Sequence, residues 1–256
     1  MSSESVEAPP IAQTYVYGVV AREAALELPV AGVADAPVRT LPEGGVAALV
    51  SPLPAERFRV RRRDLTNHLR VLEEVFAAAT VVPCAFGMVV PSEQSVREFL
   101  QPRQAELRAL LERLDGHVQL NVRASYDEDV VLREIVANDP SIAQLRERTR
   151  TQGNAGYFDR IRLGELIAAE LARLRERDAD ELLQRLSEHA ADIAVDEPSD
   201  GPVLKASFLV ARDRLEAFDA ELEQVANTHA PRLRIDSLGP LPPTAFAALE
   251  GAGWGS

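Results

Sequence analysis

A chain of 256 residues, 46% hydrophobic and 27% charged, has room for one large globular domain or two ordinary ones. Its formal net charge of −12 argues against nucleic acid as a primary partner, because phosphate binding needs clustered positive charge. A single cysteine excludes an internal disulfide and any cysteine-based zinc site, and no apolar run approaches the roughly 20 residues that span a bilayer.

The first residues, 1–12, are acidic, lack the basic and apolar regions of a signal peptide, and read as a disordered tail on a protein that stays in the cytosol. Residues 14–20 are rich in β-branched and aromatic side chains and predict a first strand. Residues 21–44, with Pro29, Pro37, Pro42 and the pair Gly44-Gly45, read as loop. A second strand is expected at 46–50, followed by a basic cluster at Arg57, Arg59, Arg61, Arg62 and Arg63. No Gly-rich turn or aromatic platform accompanies that cluster, so it reads as a solvated or acid-docking surface rather than an anion site. A helix from Arg62 should present Leu65, Leu69, Leu72 and Phe76 as its apolar face, with His68 beside it in a structural role. The longest apolar run, residues 81–90, holds the only cysteine. Its β-branched content favours a strand, and Pro83 and Gly87 place that strand at an edge or on a bulge. Ser92 should cap the next helix, which Pro102 kinks or restarts and Asp115-Gly116 ends.

Residues 117–126 alternate cleanly: Val118, Leu120, Val122, Ala124 and Tyr126 on one face, His117, Gln119, Asn121, Arg123 and Ser125 on the other. This predicts a sheet covered on one face only. Asp127-Glu128-Asp129 then reads as a helix start, where the macrodipole favours carboxylates, rather than as a metal site. Residues 138–141 break and restart the helix, and 151–156 form a polar loop without the ending of a phosphate loop. From Tyr157 to about Ile193 the pattern is helical, either as one long bent helix or as a hairpin. Glu176, Asp178, Asp180 and Glu181 read as its solvated surface. A strand at 203–210 follows, then a helix whose stripe is Leu215, Phe218, Leu222 and Val225, with Asp213 and Glu216 as a capping box. The last strand, from Arg232, runs into Gly239-Pro-Leu-Pro-Pro243, and residues 247–256 are a Gly/Ala-rich, flexible tail. The fold expected is therefore α+β in two domains. An N-terminal α+β domain covers 13–115. A C-terminal domain over 116–246 is close to ferredoxin-like, with the helices between 127 and 197 projecting as an extension.

Several stretches, taken in order, resemble the gas vesicle protein F/L (GvpF/GvpL) family. They are Tyr15-Val-Tyr-Gly-Val19, His68-Leu-Arg-Val-Leu-Glu73, Val81-Val-Pro-Cys-Ala-Phe-Gly87 and Gly116-His-Val-Gln-Leu-Asn-Val122, then Gly156-Tyr-Phe, Leu204-Lys-Ala-Ser-Phe-Leu-Val210 and Gly239-Pro-Leu-Pro-Pro243. The chain departs at Cys84-Ala85, where the family often has Leu-Arg. The resemblance implies an accessory or minor structural protein of gas vesicles, with a modified ferredoxin-like second domain carrying a helical extension. It implies binding to the small hydrophobic shell protein GvpA and to other gas vesicle proteins, a place at the gas vesicle in the cytoplasm, and no catalytic residue, metal or cofactor.

Three functions compete at this level. An assembly protein fits an acidic chain that keeps an aggregation-prone apolar partner dispersed. A small-molecule-binding regulatory module is the alternative, since paired ferredoxin-like domains often hold ligands. An enzyme is disfavoured, because the four histidines are isolated and no nucleophile motif is present. For partner binding, Phe86, Met88 and Leu241 are the candidates: both their stretches combine apolar side chains with prolines, so their backbone should not be fully paired within a sheet. The opposing reading makes these three side chains ordinary core.

Overall fold

The computed structural model describes residues 13–24, 26, 28–53, 61–151, 156–197 and 201–247. Arg57, Arg59, the loop at 152–155, and the two predicted tails except Ala247 lie outside the described residues. The chain divides into two compact units. The first holds the described residues up to Gln119 together with those from Pro240 on, and the second is Leu120–Gly239. The sequence carries the second domain on to residue 246. In the structure, Arg113 binds the Phe246 carbonyl at 2.7 Å and the Gln119 side-chain oxygen accepts the Ala245 N–H at 2.8 Å, which fastens this last segment to the first unit.

In the first unit, β1 (Thr14–Ala21) lies between β3 (Val46–Pro52) and an interrupted edge strand, and β2 (Arg39–Glu43) pairs with β3 on the far side. The interrupted strand consists of β4 (Val81–Pro83) and β5 (Val89–Val90), both antiparallel to β1. Residues 84–88 loop out between them, with Gly87 at φ +93°. The apolar run is thus an irregular edge strand, as its proline and glycine require. β2 is a strand where the sequence reads as loop: Pro42 is tolerated because β2 is itself an edge. Helix α1 (Arg62–Ala78) packs with β1 and β4, and α3 (Gln104–Leu114) with β1, β3 and β4. Helix α2 (Glu93–Leu100), capped by Ser92, is joined to α3 by a 3-10 turn over Gln101–Arg103 where Pro102 sits. Burial at every β1 residue but the last follows from helices on two sides.

A bulge in β1 sets the side chains. Val16 opposes Val50 and Gly18 opposes Leu49, so Tyr17 is the extra residue. Tyr15, Tyr17 and Val20 all join the core that includes Val71, Leu72 and Val75 of α1. Gly18 lies where a Cβ would stand 2.7 Å from the Val82 carbonyl oxygen. That neighbour is backbone and cannot swing aside. Gly18→Ala is therefore expected to cost about 2 kcal/mol or more, the scale of overpacking and backbone displacement in a core; a urea melt with an unchanged midpoint would contradict this.

The second unit has a four-stranded sheet in the order β7-β8-β6-β9, from β6 (His117–Tyr126), β7 (Asp192–Val195), β8 (Pro202–Ala211) and β9 (Leu233–Leu241). β8 is inserted between β6 and β7, so the strand–helix–strand unit they frame is split. Helix α7 (Leu215–His229) then returns the chain to β9, which is the ferredoxin-like plan. Leu120, Val122 and Ala124 of β6 share a core with Leu204, Ala206, Phe208 and Val210 of β8, and Phe208 and Phe218 of α7 meet edge to face at 5.3 Å. On the opposite face Arg123 and Lys205 are exposed, but Gln119, Ser207 and Leu209 are buried, so this face is not left open as its polar residues predict; Ser207 donates to the Asn121 side chain at 2.9 Å. β7 is a strand where the sequence reads as helix, and α7 begins after a 3-10 turn at Arg212–Arg214 without the expected side-chain cap.

Between β6 and β7 stand α4 (Glu128–Asn138), α5 (Pro140–Thr151) and α6 (Tyr157–Ser187). Asp127 caps α4 through the Val130 N–H, and Asp139 caps α5 through Ser141 and Ile142. Helix α6 is one helix of 31 residues, not a hairpin. Val131, Ile135, Ile142 and Leu174 form a small core of their own.

Candidate functional site

Two buried polar clusters organise the chemistry, one in each unit. The first lies under the edge loop at 84–88. Helix α1 turns Asp64, His68, Val71, Leu72 and Val75 inward, while Leu65 and Leu69 are 41% and 47% exposed. The apolar stripe expected from the sequence is thus half wrong. His68 takes a core position because β1 offers it the Tyr15 hydroxyl, Asp64 because the Ala34 and Arg61 backbone N–H groups satisfy it, and Leu65 and Leu69 are left outside.

His68 stacks on Tyr17 at 5.6 Å and meets Phe86 edge-on at 5.5 Å. Its Nδ1 lies 3.1 Å from the Tyr15 hydroxyl, and that hydroxyl accepts the Gly87 N–H at 2.9 Å. With the Gly87 N–H directed at its oxygen, the Tyr15 hydroxyl can give its own proton to Nδ1, the arrangement in which neutral His68 carries its proton on Nε2. Burial pushes the His68 pKa down to about 4, against a smaller opposing pull from its bond to the Cys84 backbone. Burial likewise raises the Tyr15 hydroxyl and pushes the Cys84 thiol up to about 12, so neither ionises near neutrality and Cys84 is a poor nucleophile. Tyr17 binds Ser51 at 2.8 Å and accepts the Val33 N–H at 2.7 Å. Asp64 accepts from Ala34 and Arg61 N–H groups, clipping the turn at 32–36 to the start of α1.

The candidate binding residues fall unequally around this cluster. Phe86 is half-buried and packed on Tyr15 and His68. Met88 is half-buried, and its carbonyl accepts the Val16 N–H at 2.9 Å. The Cys84 N–H is likewise used, by the Tyr17 carbonyl at 2.8 Å, so the inner side of this strand is better paired than its prolines suggest. Leu241 is half-buried at the end of β9, in the other sheet.

The second cluster was invisible in the sequence. Asp178, read as part of a solvated helix surface, is fully buried. Its Oδ1 accepts from Nε and a terminal nitrogen of Arg177 at 3.2 and 2.9 Å. Its Oδ2 accepts from the Tyr126 hydroxyl at 2.8 Å and pairs with Arg232 at 2.9 Å. Arg232 also binds Glu134 at 2.8 Å and donates to His229 Nδ1 at 3.2 Å, which places the His229 proton on Nε2, 3.3 Å from Glu181. Burial and the Asp178 carboxylate together raise the Tyr126 pKa. The arrangement joins α4, α6, α7 and the ends of β6 and β9. A buried carboxylate so fully supplied with donors is a structural tie, not a poised acid or base.

Among the described residues no group of three or more His, Cys, Asp or Glu side chains is arranged to hold a metal ion, and no helix is long and apolar enough to cross a membrane. What the two units define is an α+β protein with buried polar clusters in its cores and apolar side chains left on helix surfaces. Residues 13–248 match the family described as gas vesicle synthesis protein GvpL/GvpF, and the chain belongs to that family of gas vesicle proteins. Gas vesicle protein F of Streptomyces sp. (strain CB03234) is 38% identical over 91% of this chain and 98% of its own length. Gas vesicle protein F of Microcystis aeruginosa is 26% identical over 92% of this chain. The crystal structure of GvpF from Anabaena sp. PCC7120 superposes with a TM-score of 0.79 at 26% identity, covering 93% of this chain and 99% of that one. That of GvpF from Microcystis aeruginosa gives 0.75, at 25% identity.

Proposed function

We propose that this chain is an accessory or minor structural protein that supports gas vesicle assembly in the cytoplasm by binding the hydrophobic shell protein GvpA, and that it catalyses no reaction. The family match over residues 13–248 carries this reading. It is supported by the apolar side chains that the fold leaves outside, among them Leu65, Leu69 and Phe158, on a chain whose net charge of −12 would keep a bound apolar partner dispersed. The alternative, a small-molecule-binding module, would use the open cleft on the face of the second sheet that carries Arg123 and Lys205, lined also by Asn121 and Ser207. It has less support, because Lys205 is already paired with Asp196 and Ser207 with Asn121.

The edge strand is the proposed shell-protein contact, and its residues now separate by burial. Phe86 belongs to the His68 cluster, so Phe86→Glu is expected to unfold the first unit. At Met88 the strand keeps its backbone bond to Val16 whatever the side chain, and the side chain is only half-buried. Met88→Glu and Leu241→Glu are expected to melt within about 1–2 kcal/mol of the parent protein, the usual range for substitutions outside the deep core, and to lose co-purification with the shell protein. If both variants stay folded and bind normally, the contact lies elsewhere.

A further inference from the structure

The outer half of the long helix α6 is under-covered. From Tyr157 to Arg173 it has no buried side chain, and Leu163, Leu166 and Ile167 are only half-buried against α4 and α5. Helix α4 turns Val131 and Ile135 into the small core but leaves Leu132, 39% exposed, and Val136 on an outer side. Leu132 and Val136 on α4, and Leu163 and Ile167 on α6, are each an i, i+4 pair. Such pairs raise ridges along the helices and leave a groove into which the ridge of a third helix fits. Here they floor an open cleft of about 390 Å3 whose rim carries Asp129, Arg133 and Arg146. This volume is within the roughly 300–1,000 Å3 range of sites that receive apolar groups.

The rim decides the occupant. Arg133 spends its Nε on the Asp129 backbone carbonyl at 2.8 Å, and among the described residues no carboxylate lies within ion-pair distance of Arg133 or Arg146. On a chain with an excess of acidic residues, a rim that sets two arginines, neither in an ion pair with a described residue, against the single Asp129 carboxylate favours a partner that brings its own carboxylates. We propose that the α4–α6 groove is a docking site for an acidic amphipathic helix, which lays apolar side chains at i, i+3 or i+4, and i+7 on the floor and sets carboxylates against Arg133 and Arg146.

The test uses the full chain and two fluorescein-labelled helical peptides with the same leucine stripe, one flanked by glutamates and one by lysines, read by fluorescence anisotropy. The acidic peptide is expected to bind saturably, at least tenfold tighter than the basic one, and to weaken as salt rises. Arg146→Glu, at an exposed position that does not threaten the fold, is expected to weaken the acidic peptide about tenfold and to reverse the preference. Leu132→Asn should weaken both peptides, with the melting temperature of each variant serving as the folding control. Equal binding of the two peptides, no saturable binding of either, or a preference untouched by Arg146→Glu would overturn the proposal.

Discussion

Asp178→Ala is expected to destabilise the second unit by about 3–5 kcal/mol, the cost of removing one partner from a buried ion pair. The loss is not the carboxylate itself but what it leaves behind: the Arg232 guanidinium, with only Glu134 still opposite it, and the Tyr126 hydroxyl, which gives its proton to Asp178 in the native fold. An unsatisfied buried donor alone costs about 1–3 kcal/mol. Urea unfolding followed by far-UV circular dichroism reads the effect. Replacing both charges, Asp178→Leu with Arg232→Met, should recover much of it, because the pair's desolvation cost disappears along with its attraction. A single-variant loss below about 1 kcal/mol, the scale of a surface pair, would mean that water replaces the missing oxygen and the cluster is not a tie.

Acid is expected to weaken the first unit through His68 before it protonates most carboxylates. The ring has a pKa of about 4 in the fold against 6.5 when free. Above pH 6.5 neither state holds the proton and the full stability is present. Between 6.5 and 4 the unfolded chain takes up a proton that the folded one refuses, so stability falls with falling pH, by roughly 3 kcal/mol in all; below pH 4 the His68 contribution levels off. Protonation of Nδ1 would also remove the acceptor for the Tyr15 hydroxyl and so loosen the Gly87 anchor of the edge loop. Stability measured at pH 7, 5.5 and 4.5 for the parent chain and for His68→Asn isolates this contribution, since the carboxylates titrate alike in both. Parallel pH profiles would show that His68 protonates freely in the fold.

The elements that periodicity could find were long and had one buried face. The inward faces of β6 and β8, the cap at Ser92, the helix starts after Asp127 and at Pro140, and the restart at Pro102 all appear as the residues suggest, although Gln119, Ser207 and Leu209 on the other face of the second sheet are buried as well. What escaped has physical reasons. The four residues of β7 are too few to show an alternation, and β2 carries a proline that only its edge position excuses. On α1 the leucines at 65 and 69 outweigh His68 and Asp64 in any apolar count, yet the two polar residues are buried because Tyr15 and the Ala34 N–H satisfy them. Asp178 could not be recognised as buried, because Tyr126 and Arg232 reach it only after the chain has folded back through distant elements. The edge strand of Phe86 and Met88 was legible from Pro83 and Gly87, but how much of its backbone is satisfied was not, since Tyr15 supplies the acceptor for Gly87.

Deleting this chain from cells that otherwise make the complete gas vesicle set, then restoring it with an affinity tag, tests the assembly role most directly. Vesicle content is read as light scattering lost on a pressure pulse, and the tagged chain is assayed for captured shell protein. The expected result is few or no vesicles without the chain, recovery with the tagged copy, and GvpA in the captured fraction. Vesicles at the parental level in the deletion strain, with no shell protein on the tagged chain, would contradict it.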